Sequence, residues 1–223
     1  MSSRTWPTVL AAVVLAGTVV GLGVANPVPA ARISTDRLGP DSGEQVSAYL
    51  DRAQATLDTQ AGPDPAAHHW ALVSLDAAVT PSQLLDVVGD VRVSQVLFQV
   101  PLDRVQTPML AIPVAANPTA VQRAPSVAAA RLQASVVGHD RPSLLAAYSA
   151  NRLSATDCAC VVGATVRGSL EQLRALDAAP SVRAIEALPS DAVAGSFAVS
   201  PLLPTQTTVV APGPDDGPVP GLA

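Results

Sequence analysis

Cys158 and Cys160 stand one residue apart and are the only thiols of the chain. A thiol pair can exchange electrons as a dithiol and disulfide, or hold a soft metal through its thiolates. On a regular strand both side chains would leave from one face with Cα atoms roughly 6.5 to 7 Å apart, the outer limit for a disulfide. Bridging them therefore needs a local bend. Three outcomes stay open: a structural disulfide or a small half-buried pair, a redox or metal-binding pair, and pairing between chains.

The histidines are His68, His69 and His139. Side chains of neighbouring strand residues diverge, so His68 and His69 do not form a ligand pair by themselves. A site joining them to Cys158 and Cys160 requires the first and third strands of the fold to lie side by side. No ligand spacing points to a metal. Other catalytic patterns are missing: there is no G-x-S-x-G, no H-E-x-x-H and no phosphate loop, which needs a lysine this chain lacks. Asp76, Asp86, Asp90 and Asp103 fall where solvated turn and helix-end acids ordinarily fall. The expectation is of a protein that is not an enzyme, with no cofactor and no metal.

These residues must be positioned by the elements around them, and residues 160–189 read as a complete strand, helix and strand. Cys160, Val162, Ala164 and Val166 alternate along the first strand. Ser169 and Gln172 form a capping box that starts a helix with Leu170, Leu173, Leu176 and Asp177 on one edge, and Pro180 stops it. Val182 to Ala187 gives the second strand. Residues 70–101 repeat this plan at a constant offset, with Thr80 for Ser169, Gln83 for Gln172, Leu84 for Leu173, Val93 for Val182 and Val96 for Ile185. Two such units predict an α+β domain, the ferredoxin-like split βαβ sandwich, with a four-stranded sheet covered on one face by two helices.

Residues 102–157 interrupt the two halves. Pro108, Pro113 and Pro118 forbid a continuous central strand there, and helices are expected at about 126–137, capped by Ser126, and 142–155. An inserted helical hairpin presents new surface without disturbing the core, so family-specific function is expected there. Before the first unit, Ser42 with Gln45 predicts a capping box for a helix carrying Val46, Tyr49, Leu50, Ala53 and Leu57 on one face. The domain is expected over residues 42–189. Residues 190–223, rich in proline and without a basic residue, are expected to be disordered apart from the apolar run Phe197 to Leu203.

Residues 8–25 carry no charge, follow Arg4, and end at Asn26 and Pro27. The stretch is long enough to span a bilayer, so the expectation is a single-pass transmembrane helix, with residues 26–41 as linker. The rival reading is a cleaved signal peptide, and either way the rest of the chain is exported. Gly17 and Gly21, one helical turn apart, suit close pairing of two membrane helices. A net charge of −5 without clustered cations argues against a nucleic-acid partner.

The segments WALVSL, VSQVLFQVPLDRVQTP, CACVVGATVRG, VRAIEALP and SPLLPTQ resemble those of conserved exported or membrane-anchored actinobacterial proteins of unknown function, over most of residues 44–206. The resemblance implies a cell-envelope setting and assigns no catalytic residue. Two functions are then expected as alternatives: a non-enzymatic module that binds a protein partner at the membrane, or a thiol-redox or soft-metal protein centred on Cys158 and Cys160.

Overall fold

The computed structural model describes residues 36–59, 64 and 66–220, together with Val14, Leu15 and Thr18. The chain divides into Met1–Ile33 and Ser34–Ala223. In the first unit the Thr18 hydroxyl donates to the Val14 carbonyl at 2.8 Å, a helical contact. The predicted membrane span over residues 8–25 and its pair Gly17 and Gly21 otherwise lie outside the described residues. Among the described residues no helix is long and apolar enough to cross a membrane.

The second unit is a mixed α+β domain. Its strands are β1 (Arg37–Leu38), β2 (His68–Val79), β3 (Arg92–Gln99), β4 (Met109–Pro113), β5 (Val161–Ser169), β6 (Val182–Ala187) and β7 (Ala198–Val199). Five of them form one sheet in the order β4-β3-β5-β2-β6, with every neighbouring pair antiparallel. The helices are α1 (Val46–Thr59), α2 (Pro81–Val88), α3 (Pro118–Ser135), α4 (Arg141–Ser154) and α5 (Leu170–Asp177). Both sequence repeats are present as read: α2 joins β2 to β3, α5 joins β5 to β6, and each begins with a complete capping box, at Thr80 with Gln83 and at Ser169 with Gln172. The sheet is wider by one strand than expected, because β4 pairs along β3. Pro113 is tolerated there because β4 is an edge strand, where a missing N–H breaks no ladder.

One face of the sheet is covered by α2, α5 and the inserted α3 and α4. Leu84, Val88, Leu173, Leu176, Val121, Ala128 and Leu153 meet Ala71, Val73, Val96, Phe98 and Val166 in a single apolar core. The insert thus contributes core as well as surface. Its first helix starts at Pro118, capped by Asn117, eight residues before the expected start at Ser126. Pro125 lies inside the helix and removes one backbone bond without ending it.

The opposite face is covered too, which the sequence reading did not foresee. A two-stranded parallel ribbon of β1 and β7 lies over it, and the buried set Leu38, Trp70, Leu72, Leu97, Val162 and Leu188 packs beneath. Leu202 is fully buried, and its N–H donates to the Ser74 hydroxyl at 3.1 Å. With both faces covered, β5 has no need to alternate, and Val161 and Val162 are both buried on either side of a bulge. Close approach of β2 makes Gly163 obligatory, since a Cβ there would lie 2.5 Å from the Val73 carbonyl oxygen.

Residues 190–223 are therefore not a disordered tail as far as they are described. Two arginines hold the low-complexity end: Arg104 pairs with Asp216, and Arg141 donates to the Asp215 carboxylate at 2.8 Å and to the Gly217 carbonyl at 3.0 Å. Arg183 of β6 binds the carbonyls of Leu203 and Gln206. The linker likewise ends before residue 41, because Leu38 is buried and β1 belongs to the domain. The Ser42 and Gln45 capping box is not formed; Glu44 instead accepts from the Asp41 N–H at 2.7 Å, and Gln45 pairs with Val209.

Candidate functional site

The two cysteines form a disulfide, with Cα atoms 5.3 Å apart. The bend that bridging requires is present because β5 begins only at Val161, and Cys160 is fixed by its carbonyl, which accepts from the Gln99 N–H at 2.9 Å. Both residues are buried within the main core. A disulfide exchanges only when a thiolate reaches one of its sulfurs, so a buried pair is inert until the surrounding chain opens. Cys158→Ala with Cys160→Ala should lower stability by only about 1.5 kcal/mol, the loop-entropy value for so short a ring. Equilibrium denaturation checks this, and a loss of cooperative folding would show that the bond does more than close a small loop.

The histidines do not join the cysteines. β2 and β5 are neighbours, as the combined site required, but they run antiparallel: His68 pairs with Ser169 and His69 with Gly168, at the far end of β5 from Cys160. The separation is roughly 25 Å along the strand. His69 is buried, with its Nδ1 2.8 Å from the Leu188 carbonyl oxygen, while His68 and His139 are exposed. Among the described residues no group of three histidines, cysteines or acids is placed to hold a metal.

A polar centre that the sequence reading missed lies between β6, α1 and the arm before α1. Glu186 of β6 is buried among apolar strand residues. Its carboxylate accepts from the Gly39 N–H at 2.5 Å and pairs with Arg52 of α1. Arg52 also grips Glu44, at 3.2 and 3.0 Å, and the Gly39 carbonyl at 3.2 Å. Burial pushes the Glu186 carboxyl above its ordinary range, although the Gly39 N–H and the Arg52 charge pull the other way. Glu44 is held below its ordinary range chiefly by its hydrogen bond to Arg52. Tyr49 is fully buried beside Glu186 and Ser74 without a well-directed hydrogen bond to either, and burial, with the Glu186 charge adding to it, raises its hydroxyl far above the usual value. The signal for this centre was present: a lone acid inside an apolar strand, VRAIEALP, must find a partner when the strand is buried.

Chemically, the centre fastens segments together. Every oxygen of Glu186 is committed to the Gly39 N–H or to Arg52. A depression of about 300 Å³ lies elsewhere, between the end of α2, the start of β3 and the start of α3, and is lined by apolar residues such as Leu85, Val88 and Val121 together with Asp90, Arg92 and Asn117. The chain matches no family model, no curated protein and no solved structure.

Proposed function

We propose that this chain is a non-enzymatic protein-interaction or accessory module of the cell envelope, held at the cytoplasmic membrane by residues 8–25 with its domain outside, and built on a ferredoxin-like split βαβ core. The strand order β6-β2-β5-β3 supports that core: each βαβ half is split by a strand of the other, and β4 extends the edge. The joined cysteines favour an oxidising, extracytoplasmic compartment.

The observation that carries the interaction reading is the insert. Six large apolar side chains are exposed among the described residues of the second unit, and four of them, Met109, Val127, Val137 and Leu144, lie between residues 102 and 157; the other two are Val193 and Val209. This concentration on an inserted segment, which presents surface the core does not need, supports a partner there. The test is a photo-crosslinking residue at Val137, which is 90% exposed, in the full chain in its native envelope. A discrete adduct is expected, lost on Leu144→Asp while the unfolding midpoint stays put. Adducts no different from those of a control position at Asp58 would end this reading.

The alternative, thiol-redox or soft-metal handling by Cys158 and Cys160, is favoured only by the existence of the bond. It predicts that the double alanine variant abolishes function, whereas the interaction reading predicts an unchanged adduct.

A further inference from the structure

Three side chains stand in one row across the face of the sheet that the arm and tail cover only in part. Trp70 of β2 pairs with Arg167 of β5, and Arg167 pairs with Arg92 of β3. Cross-strand partners share a face, with Cβ atoms roughly 4.5 to 5.5 Å apart. Two arginines are therefore set directly opposite each other on neighbouring strands. Like charges in this position are destabilising unless an anion lies between them.

Among the described residues neither arginine has an acidic partner. The described ion pairs use Arg37, Arg52, Arg104 and Arg141. Arg167 lies with its guanidinium carbon 5.3 Å from the centre of the Trp70 ring, and its Nε–H is buried with no acceptor among the described residues. A buried donor without a partner is uncommon and expensive to leave so. The ring of Trp70 also packs against Phe197, 5.9 Å away. The tail thus orients the tryptophan, the tryptophan orients Arg167, and Arg92 completes the pair from an exposed position.

We propose that Arg92 and Arg167, seated on Trp70, form an oxyanion-binding site. The ligand must bring negative charge and at least two acceptor oxygens, because a guanidinium presents its donors as a planar fork that matches a carboxylate or a phosphate in two bonds. The site is open to one side through Arg92, so the oxyanion is either free in solution or carried on a larger molecule. It stands apart from the exposed residues of the insert that carry the interaction reading, and it does not depend on that reading.

The test measures thermal unfolding and intrinsic tryptophan emission of the full chain during titration with inorganic phosphate, and separately with a short glutamate-rich peptide, both against chloride at equal ionic strength. A rise in midpoint with either ligand is expected, and which arm responds tells a free phosphate from a presented carboxylate. Arg92→Gln should weaken that response about tenfold, one fork lost. In chloride alone the same variant should unfold at an equal or higher temperature, because it removes a repulsion. Arg167→Lys, which keeps the charge and loses the fork, should also weaken the response. No response in either arm, an undiminished response in Arg92→Gln, or a lower midpoint for that variant in chloride would each overturn the site.

Discussion

Removing residues 201–223 should abolish the cooperative unfolding transition of the domain. Leu202 is fully buried and Val210 nearly so, and with Tyr49, Ala53 and Ala184 they form a separate apolar cluster that fastens α1 to the sheet. Truncation also removes the Arg183 and Ser74 contacts and uncovers part of the face formed by Trp70, Leu72, Leu97 and Val162. Losing one buried leucine to alanine costs about 2–5 kcal/mol, and a domain of this size holds only about 5–15 kcal/mol in total. Denaturant titration with a probe of exposed apolar surface checks this. Leu202→Ala alone should lower stability by about 3 kcal/mol with the transition still cooperative. A truncated chain with an unchanged midpoint would mean that the tail only rests on the surface.

Arg52→Ala should be the most damaging single replacement of a charged residue, and its effect should depend on pH. The change leaves the Glu186 carboxylate buried with the Gly39 N–H as its remaining partner. Breaking a buried pair from one side costs about 3–5 kcal/mol, with the lower end expected here because Arg52 is partly in water. The sign follows from the two carboxyls. Glu186 has a raised folded-state value, so its contribution falls as pH rises from the ordinary carboxylate range through that raised value. Glu44 has a lowered value, so its contribution is present above the ordinary range and is lost as pH falls through the lowered one. In the parent protein the two slopes oppose each other. Without Arg52 the Glu44 benefit shrinks to what the Asp41 N–H and the Arg37 charge supply, and the Glu186 penalty grows, so the variant should be weak at neutral pH and recover on acidification. Adding Glu186→Gln should restore much of the loss at neutral pH and flatten the profile. If the single variant is equally weak from pH 4 to pH 8, the Glu186 charge is not the cause.

The parts of the fold that could be read in advance are those specified locally. The two capping boxes, the apolar spacing of Leu84 and Leu173, and the helix carrying Tyr49, Ala53 and Leu57 each depend on residues within a few positions of one another, and each is present. The tail was misread for the opposite reason. Nothing within PGPDDGPVP orders it; the order comes from Arg104 and Arg141, distant in sequence. The start of α3 was misplaced because Ser126 is a good cap by type, whereas the helix begins at Pro118 behind Asn117, with Val121 and Ala124 packed in the core and Pro125 inside it. The combined histidine and cysteine site failed on strand direction alone, since adjacency without polarity says nothing about which ends meet. The partners of Glu186, on a helix and an arm distant in sequence, and the pairing of Arg92 with Arg167, set by strand register, were invisible to local spacing.

The ribbon of β1 and β7 sets the order in which the domain can be completed as it is made. Its first strand is among the earliest residues of the domain to be synthesised, yet its pairing partner, Ala198 and Val199, is among the last. Closing a loop that spans almost the whole domain is slow relative to forming local βαβ units. Until the final stretch has emerged, the arm has no strand to pair with, Ser74 lacks its Leu202 donor, and one apolar sheet face stays uncovered. A nascent chain is thus kept loose to its end, and any factor that guards it should recognise the face that Trp70 and Leu72 present.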